Sequence, residues 1–259
     1  MWKVPSAVRT VARRKGSVLS LPGHASERRK RFYKAVTTSP VDGRFAVQLD
    51  RRTPRSPAGQ PLETPTQALA DLVAAEWAAQ GEDILPATMP ATKLAWAALA
   101  MAEPGARDAA VDRIAAFAGS DLICYFADGP ATLVERQERR WSPVIAWLEG
   151  EIGHRFHRAQ GIVHRPQPED AVAALSALAR AETDFALAAL AAATALLGSA
   201  ILAMALRRGE LTAAAAFDLS RLDESFQEER WGVDAEAAAR ADAMAAETVM
   251  LERWFAALA

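Results

Sequence analysis

The feature that most constrains this chain is a change of punctuation near Thr64. Before it, turn residues come every few positions: Asp42-Gly43, then Pro54, Pro57, Gly59 and Pro61. After it, alanine-rich segments with apolar residues at three- and four-residue steps run almost to the C-terminus. Helix is excluded from the first region, because proline removes a backbone donor and clashes with the preceding turn. A block of strands followed by a long run of helices implies an α+β fold, with a small N-terminal β-rich domain and a larger all-helical C-terminal domain.

Within that frame, Arg31–Val36 and Arg44–Leu49 read as two strands of a hairpin. The Asp42-Gly43 pair between them suits a type I′ turn, whose two central residues both need positive φ. Thr64-Pro65-Thr66-Gln67 has capping-box spacing, with Pro65 at the first helical position, where its missing N–H costs nothing. Leu69, Leu72, Val73 and Trp77 then share one helix face, with Glu76 and Gln80 beside them, and Gly81 is expected to close the helix. Further helices are predicted over 91–102, 106–118, 130–149, 169–180, 182–208, 211–231 and 235–258, with an irregular crossover from Ile152 to Arg165. The expected division is a basic tail over 1–30, a β-rich domain with one helix over 31–88, and a helical domain over 89–259.

A chain of 259 residues can bury a sizeable core. Its formal net charge of −2 gives no global field that would draw it to nucleic acid or an anionic membrane. The single cysteine, Cys124, lies in the apolar run Leu122–Phe126 and is expected to be buried and inert, which suits a reducing compartment. Met1 to Ser26 holds basic but no acidic residues, the composition of a transit peptide or of a basic tail. That leaves a bacterial cytoplasm, or a mitochondrial matrix if the tail is a transit peptide. Phe185 to Leu206 has no charge and the length of a membrane span, but alanine adds little insertion energy. It is read as a helix surrounded by other helices, and no membrane insertion is expected.

Local chemistry is sparse. His154 and His157 stand at H-x-x-H spacing, but in the crossover, where an extended chain would point them to opposite faces, and no cysteine is near to complete a zinc set. The sequence contains no phosphate-binding loop, dinucleotide turn or nucleophile elbow. Glu228-Glu229 reads as a solvated helix face. No cofactor or metal is expected, and no catalytic residue is nominated. Seven tryptophans suggest packing or recognition instead, since tryptophan is enriched at binding hot spots. On the helix expected over 211–231, Leu219, Leu222 and Phe226 form the apolar stripe, with Asp223, Glu224, Gln227 and Glu228 clustered away from it. Gly232 should cap that helix and Asp234 the next.

Taken in order, the motifs are specific. Arg31-Phe32-Tyr33-Lys34, Leu49-Asp50-Arg51-Arg52, Arg55-Ser56-Pro57, Glu76-Trp77-x-x-Gln80 and Met89-Pro90 are followed by Asp121-Leu122-Ile123-Cys124-Tyr125. Leu133, Gln137, Trp141, Pro143 and Trp147 come next, then Leu197-Gly198-Ser199 and Ser220 to Gln227 leading into Trp231-Gly232. This series resembles the ATP synthase α-subunit chaperones, often called assembly factor 2. Arg51 departs from the pattern where relatives carry glycine, so the turn there should need a different geometry. Leu122 and Phe126 replace a threonine and an arginine.

The resemblance implies a chaperone without catalytic activity, a monomer, which binds the free ATP synthase α subunit and prevents its aggregation until the β subunit joins. It attaches functional weight to the acidic segment. Asp223, Glu224 and Gln227 are therefore the expected partner contacts, with Glu236 a weaker candidate at the start of the next helix. Charge reversal at Asp223 and Glu224 should leave folding intact. Trp77, Glu76, Gln80, Trp141, Trp231 and Gly232 are expected to be structural. The alternative is an enzyme of unknown type, with a site assembled from dispersed residues.

Overall fold

A computed structural model of the chain describes residues 29–161 and 165–259. The Met1–Ser26 reading and part of the crossover therefore fall outside the described residues. The chain opens with β1 (Arg29–Lys30), then β2 (Val36–Val41), β3 (Arg44–Leu49) and β4 (Glu63–Thr64), the last three forming an antiparallel sheet in the order β2-β3-β4. Asp42 and Gly43 take φ of 46° and 77°, the two positive values a type I′ turn demands. A two-residue turn forces the strands to abut it, with Val41 opposite Arg44, so the first hairpin strand is Val36–Val41 and not Arg31–Val36. Pro40 is tolerated there because β2 is an edge strand.

The displaced segment packs instead. Tyr33 is buried, donates its hydroxyl to the Trp77 carbonyl at 2.6 Å, and meets the Trp77 ring edge-on. Arg51 overturns the expectation of a different turn. Asp50 and Arg51 sit at φ 48° and 67°, and Leu49 and Arg52 exchange both backbone hydrogen bonds, at 2.9 and 3.0 Å. The left-handed turn is kept without glycine. The Asp50 carboxylate helps to hold it by accepting from the Ala35 and Lys34 N–H groups, which keeps its carboxyl below the usual range.

Helix α1 (Gln67–Ala78) begins two residues later than the capping-box reading placed it. Thr66 is the cap, its hydroxyl accepting from the Leu69 N–H, while Thr64 belongs to β4 and donates its own hydroxyl to the Thr66 carbonyl. The helix ends at Ala79, two residues before Gly81. Leu69, Val73 and Trp77 are buried along one face.

The polar neighbours of that face hold the next segment in place. After β5 (Asp83–Ile84), which pairs with β1, comes α2 (Pro90–Leu99). The Glu76 carboxylate accepts from the Ala91 N–H (2.6 Å), the Thr92 N–H (2.8 Å) and the Thr92 hydroxyl (2.8 Å). It thus caps the α2 N-terminus, which has no cap of its own in sequence. Gln80 accepts from the Leu85 N–H at 2.7 Å and donates to the Glu76 carbonyl and the Thr88 hydroxyl.

Eight more helices follow: α3 (Ala106–Ala118), α4 (Ala131–Ile152), α5 (Glu169–Ala181), α6 (Asp184–Leu197), α7 (Ala200–Arg208), α8 (Ala213–Ser220), α9 (Leu222–Trp231) and α10 (Ala235–Ala256). Between α3 and α5 two short strands, β6 (Tyr125–Phe126) and β7 (Ala159–Gln160), pair in parallel. Two expected helices are each divided. The 182–208 helix breaks at Gly198, with φ 68°, and Ser199 caps α7 by accepting from the Leu202 N–H. The fully buried Asp121 completes that cap, accepting from the Ile201 N–H at 3.1 Å. The 211–231 helix breaks at Arg221.

Ten of the side chains of α6 are buried, as a surrounded helix requires. Among the described residues, no helix is long and apolar enough to cross a membrane. The fold class is α+β, a small strand-rich N-terminal part and a larger helical remainder. One hydrophobic cluster runs from Tyr33 to Phe255 and includes Cys124, whose thiol is pushed up by burial and by the nearby Asp121.

Candidate partner-binding surface

The segment holding the expected contacts is built on α4. Leu219, Leu222 and Phe226 bury one stripe. Trp141 of α4 is buried, and its indole N–H donates to the Leu219 carbonyl at 3.0 Å. Gln137, also on α4 and fully buried, accepts from the Ala127 N–H at 2.8 Å and donates to Asp223 Oδ1 at 2.7 Å. Asp223 is therefore half-buried and tethered, not simply solvated. Burial pushes its carboxyl up; the Gln137 bond opposes this, and the charge of Glu224 adds to the rise.

Two further acids of α9 are committed to arginines. Arg221 pairs with Glu228 at 2.5 Å, and Arg136 of α4 grips Glu229 through two bonds of 2.7 and 2.9 Å, which lowers the Glu229 carboxyl. Glu229 stays exposed, as a solvated face requires, while Glu228 is partly covered, and both are paired. Arg136 and Arg230 both lie over the Phe226 ring, at 5.0 and 4.1 Å, and Arg230 also donates to the Thr132 hydroxyl. Such contacts fix the helix against α4 from its last turn as well as its first.

Glu224 and Gln227 are exposed on this helix, next to Asp223. Glu236 lies past the break, exposed in the first turn of α10, where it pairs with Arg240 at 2.6 Å; Asp234 caps that helix by accepting from the Ala237 N–H. Gly232 ends α9 at φ 84° and ψ 167°, a backbone region confined essentially to glycine, and its N–H returns to the Glu228 carbonyl at 2.9 Å. Trp231 requires a correction. Expected among the structural residues, it stands 86% exposed, because at 100° per residue it faces away from the Leu222–Phe226 stripe. The spacing Leu222, Phe226, Arg230 was the available sign, since it leaves position 231 off the buried stripe.

Elsewhere the chemistry is dispersed. His154 Nδ1 lies 3.1 Å from Asp170 and His157 Nδ1 lies 3.1 Å from the Pro166 carbonyl, so the two rings serve different partners. Among the described residues, no three His, Cys, Asp or Glu side chains gather to hold a metal. A groove of about 380 Å³ runs between α2, α6 and α10, with Lys93 and Glu247 its ionisable side chains.

Comparison with known proteins agrees with this architecture. A family model described as ATP12 chaperone protein matches residues 30–149. The crystal structure of Atp12 from Paracoccus denitrificans superposes with a TM-score of 0.81 at 38% identity, covering 89% of this chain and 99% of that one. The chain belongs to the ATP12 chaperone family. A second crystal structure, of a protein from Agrobacterium tumefaciens, is 41% identical with a TM-score of 0.82, over 89% of this chain and 86% of that one. The mitochondrial protein atp12 of Schizosaccharomyces pombe is 25% identical over 219 residues, 78% of this chain and 74% of that protein. The family model ends within α4, short of α9. Coverage of 89% of the chain carries the structural likeness to other members further.

Proposed function

We propose that this ATP12 family chain binds the free α subunit of the ATP synthase catalytic head, prevents its aggregation, and yields it when the β subunit joins. It acts as a monomeric holdase in a bacterial cytoplasm, or in a mitochondrial matrix if its basic tail is a transit peptide, with 31–88 and 89–259 as its two domains. Holding requires a complementary surface and no bond-making chemistry, because an unassembled subunit exposes an interface that otherwise self-associates. The observation that carries the reading is the α9 face. Asp223, Glu224 and Gln227 stand together on a helix fixed to α4 through Gln137 and Arg136. A pre-ordered surface loses little entropy on binding, and its charge selects a basic complement.

The structure changes how this should be tested. Lysine at position 223 would break the Gln137 bond and leave a charge half-buried, so charge reversal there is not neutral to folding. Asp223→Asn with Glu224→Gln removes both charges and keeps the oxygen that accepts from Gln137. Light scattering of unfolding α subunit, without ATP, should show protection by the native chain at equimolar ratio. The double variant should fold normally and protect poorly. Full protection by the double variant would remove the α9 face from the interface, and no protection by the native chain would remove the holdase reading.

A further inference from the structure

We propose that Trp231, backed by Val233, is the apolar anchor of the capture surface and enters an apolar socket with a basic rim on the α subunit, an inference that rests on the holdase reading above. The argument begins with where the indoles go. Trp77, Trp141 and Trp254 are 6%, 1% and 0% exposed, whereas Trp231 is 86% exposed and Val233 beside it 58%. Single exposed apolar residues are ordinary on protein surfaces. An indole this bare, next to a second exposed apolar side chain, is less so, because it is among the largest apolar surfaces a side chain can keep in water.

The mounting of the ring is the second observation. The turn that carries it is fixed by the Arg136–Glu229 fork and by Arg230, which lies on Phe226 and reaches Thr132. Gly232 ends the helix immediately after it. The indole is thus presented on a fixed stalk, and a side chain with only two rotatable bonds loses little freedom when it docks.

Charge gives the chemistry of the partner. From Arg221 to Glu236 there are six acids (Asp223, Glu224, Glu228, Glu229, Asp234, Glu236) and two arginines, a net −4, in a chain whose total is −2. Residues 29–259 carry a net −7, so this short segment holds more than half of it; with Arg136 on Glu229 and Arg240 on Glu236 counted, the surroundings of the ring keep a net −2. An apolar centre inside an acidic rim is complementary to an apolar socket bordered by lysine and arginine, the usual arrangement of a hot spot within its polar surround.

The test uses the full chain and fluorescently labelled α subunit, with affinity read by anisotropy and folding by thermal melting. Trp231→Ala should melt with the native protein and bind about 30-fold or more weakly, the loss expected of a hot-spot residue. Trp231→Phe should keep most of the affinity. The salt dependence supplied by the acids should persist in both. If Trp231→Ala binds within about threefold of native while Glu224→Gln still weakens binding, the anchor is wrong and the holdase reading stands. Melting lowered by several degrees in Trp231→Ala would mean that the ring packs in solution, which also overturns the anchor. Absence of binding by the native chain would overturn both.

Discussion

Replacing Glu76 should uncouple α2 from α1. Its carboxylate makes three short bonds to the first turn of α2, of 2.6, 2.8 and 2.8 Å, and two of the donors are the Ala91 and Thr92 N–H groups. Both residues are buried, at 3% and 0% exposure. Alanine at position 76 leaves these donors without their acceptor, and each buried unsatisfied group costs about 1–3 kcal/mol. Recovering the desolvation of the carboxylate offsets part of this. The net loss should be about 2–5 kcal/mol, a large share of a typical total of about 5–15.

The Glu76→Gln variant keeps one acceptor oxygen and turns an NH₂ towards donors, so it should fall between native and alanine. Burial outweighs the three bonds and raises the Glu76 carboxyl above its ordinary value. Between its ordinary and raised pKa values the folded state binds more protons, so this group makes stability fall as pH rises through that window and stay level above it. The alanine variant should lack that component. Urea unfolding of the three proteins across the acid range measures both effects. A loss below about 0.5 kcal/mol for Glu76→Ala would refute the assignment of Glu76 as the α2 cap.

Trp77→Arg should give insoluble or protease-sensitive protein, because loss of a buried ring costs about 3–5 kcal/mol before the arginine charge is counted; a normal melt with binding lost would make the ring an exposed contact instead. Asp121 is pushed from 3.8 up to about 6 by burial, against bonds from Ser199, Ile201, Ile123 and Ala200. Its contribution to stability should fall as pH rises across that interval, by up to about 3 kcal/mol, and level off above it. Asp121→Asn should remove this component, and an unchanged difference curve would contradict it. Arg51→Gly should raise stability by about 0.5–1 kcal/mol in urea titration, since φ of 67° strains any residue with a Cβ; a loss would mean that the arginine side chain holds the turn.

By itself the sequence determined what depends on neighbours in the chain. Proline and glycine placement separated strand from helix, the Asp42-Gly43 pair set the hairpin turn, apolar spacing found the buried faces of α1 and α9, and the lack of charge marked α6 as surrounded. The order of short motifs pointed to the family. What sequence could not settle were features decided by residues far apart in the chain. The break at Gly198-Ser199 is completed by Asp121, some 80 positions earlier, supplying a carboxylate to the new helix end. Alanine-rich periodicity continues smoothly through such a break, because a single Gly-Ser step does not interrupt it.

The same holds at the proposed surface. The acids of α9 were visible as a polar face, but which of them are neutralised depends on Arg136, 93 positions before Glu229. Trp231 was expected to be structural, but its place on the helix, turned away from the Leu222–Phe226 stripe that packs on α4, leaves it in water. Local sequence sets which face of a helix is apolar. Tertiary packing sets which face a neighbouring helix covers, and therefore which apolar residues remain free to meet a partner.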